Sequence, residues 1–449
     1  MMITFLLPIF TFMTITSYRL KNVSLCLGFL FSSLTLSAQV AETADLERIL
    51  NTLASDDMRG RHSLTPDIAK AADFISDEFQ SIGLKPYAES NYRQTFKLNK
   101  ISPAKQEVIV NGKTLTNHDF LIFGRPEELS WNQQSNVQIS AIEEEADFSQ
   151  AFRFHALQGK ENEIIWVHPA HRDLLARFRK MIGEETLVPA SQEQNQAPTK
   201  IFIIQETAPT AFEIQASSRK EPFELFNVAG MLPGKSKPEE YVIFSSHYDH
   251  IGIIDAVGQD SIANGADDDA SGTTAVIALA KHFKELDNNE RTLIFVAFTA
   301  EEIGMYGSKN FGTTIDPDKV VAMINIEMIG KDSKFGPNSL YITGYDASNL
   351  GQLVQEKVKG SSFTFHPDPY PQQNLFYRSD NATLAALGVP AHTFSTSQID
   401  KDEYYHTVKD EVSTLDIKNI QSSIEAIAHG VVGIVSGEQT PTRVEKLRD

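Results

Sequence analysis

Five stretches of this 449-residue chain carry side chains that could do chemistry together. They are His247-Tyr248-Asp249-His250, the triplet Asp267-Asp268-Asp269, the pair Glu301-Glu302, Glu327 and His406. Each has an ordinary reading alone. The first could be the solvated end of a strand and the triplet an acidic turn capping a helix. Glu301-Glu302 could be the usual acidic preference of a first helical turn, and His406 a surface histidine. Gathered in one place, however, several carboxylates and imidazoles repel unless cations sit among them. Such donors suit Zn²⁺, and oxygen-rich sets also admit Mn²⁺ or Co²⁺.

The hydrophobic pattern explains how they could be gathered. YVIFSSH (241–247), RTLIFVAFT (291–299), VVAMINI (320–326) and VPAHTFS (389–395) read as strands, the second apolar enough to be buried on both faces. SGTTAVIALAKHFKEL (271–286) reads as a helix with Val276, Ala280, Phe283 and either Ile277 or Leu279 inward. DASNLGQLVQEKV (346–358) and a last segment from about Asp416 to Val435 are also helical. Strands alternating with helices predict an α/β fold, a mainly parallel mixed sheet with helices on both faces. Ligands bind such sheets beyond the carboxyl ends of the strands. His247 to His250 follow the first strand, Glu301-Glu302 the second and Glu327 the third, while His406 lies in the loop after the fourth. The aspartate triplet opens the helix at 271. The candidates therefore fall on one edge.

Upstream, ADLERILNTLA (44–54) and DIAKAADFISDEFQSIGL (67–84) have helical spacing, with Gly83 as a stop, and YRQTFKL (92–98) alternates like a strand. Residues 103–222 read as a smaller inserted α/β unit, with strands IIWVHPA and KIFIIQ, helix HRDLLARFRKMI and no catalytic constellation. The expected organisation is a signal peptide over 1–38, an N-terminal part of the main domain over 39–102, the insertion, and the main domain over 223–449. Residues 1–38 contain no acid, and Arg19 and Lys21 precede the apolar run VSLCLGFLFSSLTL and Ser37-Ala38. This pattern predicts an exported, periplasmic or secreted protein. The single cysteine, Cys26, falls in that leader, so the mature chain is expected to have neither disulfide nor thiol nucleophile. The net charge of −19 argues against nucleic acid as a partner, and no later stretch is apolar enough to span a bilayer. Motifs of the HExxH, GxSxG and GxxxxGK[ST] types do not occur.

In order, SHYDHIG, NGADDDASGTTAVIALA, FVAFTAEEIGMYGS, INIEMIG and YYHTVKDEVSTLD resemble the di-zinc metallo-exopeptidases of metallopeptidase family twenty-eight, which include bacterial secreted leucyl aminopeptidases and glutamate carboxypeptidases. NVAGMLPG (227–234) and residues 55–86 look like further pieces, whereas the insertion is a poor match to the protease-associated domain of many members. The resemblance implies two zinc ions, peptide substrates and a role for each candidate. Asp268 bridges both metals, His247 binds one, Glu302 and His406 bind the other, and Glu327 is a further ligand. Glu301 is the general base, and Asp249 stands behind His247 to orient it. Two positions depart from the pattern: Glu327 stands where the family usually has aspartate, and Ser379-Asp380-Asn381 where it often has Ser-Asp-His. His250 is expected outside the ligand set, His282 at the surface and His392 in the core. Tyr404 and Tyr405 are open between substrate contact and packing. The leading expectation is an aminopeptidase. A carboxypeptidase or dipeptidase, a one-metal glutaminyl cyclotransferase and a non-catalytic receptor-like ectodomain are the competitors.

Overall fold

The computed structural model describes residues 40–87, 91–182, 185–190 and 198–447. The expected leader lies outside them. Two amphipathic helices open the described chain, α1 (Thr43–Leu53) and α2 (Ile68–Ile82). Leu46, Ile49, Leu50 and Leu53 form the buried face of α1 at helical spacing. Gly83 ends α2 in the left-handed conformation (φ 80°) that glycine adopts without a Cβ clash.

The main sheet contains β1 (Arg93–Val110), β2 (Phe212–Leu232), β3 (Lys237–His247), β4 (Arg291–Phe298), β5 (Val320–Ile326), β6 (Ser339–Ile342), β7 (Thr364–Pro367) and β8 (Ala391–Ser395). They lie in the order β7-β6-β8-β5-β3-β4-β2-β1, with short strands added at the margins. The central four, β8, β5, β3 and β4, are mutually parallel, and antiparallel pairings flank them. His247 pairs with Phe298, Ser245 with Asn325 and Ile326 with Phe394, so these four strands end along one edge.

Alternation along the strands assigns their side chains to two cores. Val242, Phe244, Phe295 and Ala297 face a core completed by α1, α2, α3 (Gly272–Leu286), α4 (Leu350–Lys357) and α5 (Ile417–Gly430). Ile243, Ile294, Val296 and Phe298 face the opposite core, closed by helices Tyr306–Thr314 and Asn381–Ala386. This two-sided burial is why 291–298 is unbrokenly apolar. Helix α3 is buried all round from Gly272 to Ala280, because it touches the sheet, α1, α2 and α5. Both Ile277 and Leu279 are therefore inside. The last helical segment is interrupted at Val431, between α5 and a short helix Val432–Val435.

Strands β1 and β2 pair from Arg93↔Val228 to Val110↔Phe212 and run unbroken through residues 102/103 and 222/223. The middle segment is thus carried on a long two-stranded ribbon rather than on loops. It holds a second sheet, in the order Phe120–Phe123, Lys200–Ile204, Glu163–Val167, Gln138–Ile142, with helices Phe148–Arg153 and Arg172–Ile182 against it.

Candidate metal centre

The parallel strand ends deliver the candidate residues to one place. Beyond β3 the chain is tied down from below by Arg61. Its guanidinium is fully buried and donates to the carbonyls of Tyr248, Leu53, Asn264 and Gly265 at 2.6–2.9 Å. One cation thus joins the loop after β3 to the loop before the aspartates. The turn into α3 is crowded, and the Asp268–Asp269 peptide bond is cis. Gly265 (φ 57°) leaves no room for a Cβ, which would lie 2.6 Å from the His250 ring.

Each aspartate of the triplet has different partners. Asp267 accepts from the Gly330 amide at 2.8 Å and pairs with Lys331 at 3.3 Å. Asp269 accepts from the amides of Gly272 (3.0 Å), Met328 (3.1 Å) and His247 (3.3 Å), linking the start of α3 to the ends of β5 and β3. Asp268 makes no such tie. Its Oδ1 lies 3.2 Å from His247 Nε2, and its Oδ2 lies 3.3 Å from His406 Nε2 and 3.7 Å from His250 Nδ1. His406 Nε2 is also 3.0 Å from Glu302 Oε2. The main chain that presents Asp268 is held by Asp410, whose carboxylate accepts from the amides of Asp267 (2.9 Å) and Asp268 (3.0 Å).

Two groups of ligand atoms result: His250, Asp268, Glu302 and His406 in one, and His247, Asp268 and Glu327 in the other, the atoms of each group lying within 4.8 Å of one another. Asp268 is common to both. These residues fit a metal. His247 Nε2, His406 Nε2 and Glu327 Oε2 are buried atoms without a hydrogen-bond partner among the described residues. The nitrogens approach carboxylate oxygens closely but are not aimed at them, as expected of lone pairs converging on a shared point. Neutral imidazole and carboxylate donors are the set zinc accepts.

The electrostatics carry the same strain. Burial pushes the Glu301 carboxyl well above its ordinary value; His247 opposes this, and Glu327 and Asp380 add to it. Burial acts on Asp268 too, but contacts with His247 and His406 outweigh it and hold Asp268 well below the carboxylate range. His406 is pushed up to about 10, since Asp268 and Glu302 outweigh the desolvation that would lower it.

The sequence-derived set His247, Asp268, Glu301, Glu302, Glu327 and His406 is brought together, with Asp249 behind it. Two details differ. Asp249 engages the His247 ring through its main-chain carbonyl (3.1 Å from Nδ1), its carboxylate being 3.9 Å away. That carboxylate instead accepts from Ser63 Oγ at 2.7 Å and from the Glu301 amide at 3.2 Å. His250, expected outside the ligand set, is fully buried against it, with Nδ1 2.7 Å from Glu302 Oε1. The HYDH spacing contained the signal, but the turn of the loop that aims the second histidine inward leaves no trace in residue type. His392 is a core histidine, bonded to Ser348 Oγ and the Thr343 carbonyl. His282, expected at the surface, is half-buried beside Phe283.

A sheet of parallel central strands with carboxylates and imidazoles gathered at their carboxyl ends defines an α/β fold with a candidate metal centre at the edge where such sheets bind ligands. Residues 227–431 match the sequence profile of Peptidase family M28, and this segment belongs to that family. A probable zinc metalloprotease of Pyrenophora teres f. teres is 35% identical over 113 residues, 24% of this chain and 23% of that protein. Aminopeptidase YwaD of Bacillus subtilis is 21% identical over 227 residues, 49% of this chain and 47% of that protein. The matches thus span about a quarter and about half of those relatives' lengths. Among solved structures, an aminopeptidase from Aneurinibacillus sp. strain AM-1 has a TM-score of 0.53 at 17% identity, covering 91% of this chain and 95% of that one. That likeness is one of fold. Among the described residues no helix is long and apolar enough to cross a membrane.

Proposed function

We propose that this protein is an exported zinc-dependent exopeptidase, an aminopeptidase that removes N-terminal residues from peptides, with two metal ions per chain. The observation that carries the reading is the position of Asp268, whose two oxygens face two separate sets of donors. His247 and Glu327 would hold one ion, and Glu302, His406 and His250 would serve the other, with Asp268 shared by both sets. A bound divalent ion acidifies water and polarises a carbonyl oxygen. Glu301 takes the proton of the attacking water and returns it to the leaving amine. Its burial suits the task, because a carboxyl held above its ordinary value is a stronger base than a solvated one. Asp249 fixes the Glu301 main chain through the amide, and Tyr405, stacked on His406 at 3.9 Å between ring centroids, steadies that ring. Export rests on the pattern of residues 1–38. The aminopeptidase direction is supported by the names of the structural and curated relatives.

The test is a side-by-side assay of the purified, zinc-loaded protein on peptides with a free N-terminus, a blocked N-terminus and an N-terminal glutamine. Cleavage that requires the free amine is the expected result. Cleavage of blocked peptides would mark a carboxypeptidase, and loss of ammonia a cyclotransferase.

A further inference from the structure

The cavity over the candidate centre has a volume of 330 Å³, and its lining includes Asp268, Glu301, Glu302 and Glu327. One arginine, Arg378, also lines it. It follows the short helical turn Leu375–Tyr377, just before the buried Ser379-Asp380 pair. It is the one lysine or arginine in the lining. Its guanidinium has no hydrogen-bond or ion-pair partner among the described residues, although most other arginines of the chain are engaged by carboxylates or carbonyls. A guanidinium offers a planar fork of donors that matches a carboxylate.

A second, independent observation points the same way. Ser397 lines the same cavity, is 4% exposed, and its Oγ has no hydrogen-bond partner. Its carbonyl accepts from the Tyr341 hydroxyl at 3.0 Å and its amide donates to Ser395 Oγ at 3.1 Å, so its main chain is held in place while the hydroxyl proton stays unspent. A buried donor without a partner is unfavourable, and a ligand acceptor in the cavity would relieve it. We infer that Arg378, assisted by Ser397, is a specificity-determining site that takes a carboxylate of the peptide. This selects substrates bearing either an acidic side chain or a free C-terminus within reach of the reacting bond, as in a dipeptide. The inference rests on the peptidase reading, and it deepens it by naming the substrate class.

Two matched pairs separate the sources of the carboxylate: Glu-Ala-amide against Gln-Ala-amide for a side chain, and Leu-Ala against Leu-Ala-amide for a C-terminus. kcat/KM is measured for the zinc-loaded wild type and for Arg378→Gln and Arg378→Lys. Arg378 is exposed, so neither change threatens folding. In one pair the wild type should favour the carboxylate-bearing member at least about tenfold. Arg378→Gln should erase that preference and change the neutral member less than about twofold; Arg378→Lys should restore part of it. The same pairs are titrated by calorimetry against zinc-loaded Glu301→Gln with and without Arg378→Gln. If the wild type cleaves no peptide, the peptidase reading fails, and the calorimetric preference still decides the role of Arg378. Equal treatment of both members of both pairs, or a preference that survives Arg378→Gln, overturns the inference.

Discussion

Asp268 divides its two oxygens between two sets of donors, and its neighbours in the triplet do different work. Asp267 and Asp269 bind main-chain amides and a lysine, and so hold the turn that presents it. Glu301 and Glu302 divide in the same way: Glu302 meets His250 and His406, whereas Glu301 has no such partner and lines the cavity. Accordingly, Glu301→Gln should lower kcat by about 10²–10⁴-fold with zinc content unchanged, measured by peptide assay and elemental analysis on the same preparation. His250→Ala should leave Glu302 unsupported and weaken zinc binding by about 10–100-fold, read from competition with a chelator; unchanged affinity would exclude His250 from the site. The ligand types were legible in the sequence because acids and histidines recur at successive strand ends. His250 was not, since only the turn of its loop decides whether it faces solvent or Glu302. Nor was the use of Asp249's carbonyl in place of its carboxylate, because residue type says nothing about which acceptor a ring nitrogen finds.

At the scale of elements, the four parallel strands fix the direction of the site and the turns fix its dimensions. The strands were readable from their apolar runs, and α3 from its helical spacing. The ties between them were not, since Arg61, Ser63 and Asp410 act across 142 to 204 residues of sequence. Arg61→Lys keeps the charge but loses the fork that reaches four carbonyls. A cost of about 2 kcal/mol or more is expected in denaturant unfolding, together with weaker zinc retention. Gly265 is the sharper probe. Its positive φ and the His250 ring against it both exclude a side chain. Gly265→Ala should therefore release metal from the His250 group even in preparations that remain folded by circular dichroism.

Across the whole molecule, the N-terminal helices belong to the same core as α3 and α5, so residues 43–82 help build the floor of the site. The insertion was legible as an α/β unit from its strand and helix patterns. The ribbon that carries it was not, because 100–106 and 217–222 are too polar to read as strands. Acid should unfold this molecule partly through His392. Burial lowers its pKa from the ordinary 6.5 to about 4 in the folded state, against the pull of the Thr343 carbonyl. Between those values the unfolded chain takes up a proton that the folded chain refuses. The stability is therefore fully present above about pH 6.5 and falls as pH drops towards 4, by roughly 3 kcal/mol at most. Urea midpoints at pH 7 and pH 5 should differ less in His392→Gln than in the wild type.

The central claim is that Asp268 joins two ions at the carboxyl edge of the sheet. Zinc per chain, measured by elemental analysis after dialysis for the wild type and Asp268→Ala, tests it most directly. The expected result is two zinc ions per wild-type chain and less than one in the variant. A single ion in the wild type, or two ions retained without Asp268, would contradict it.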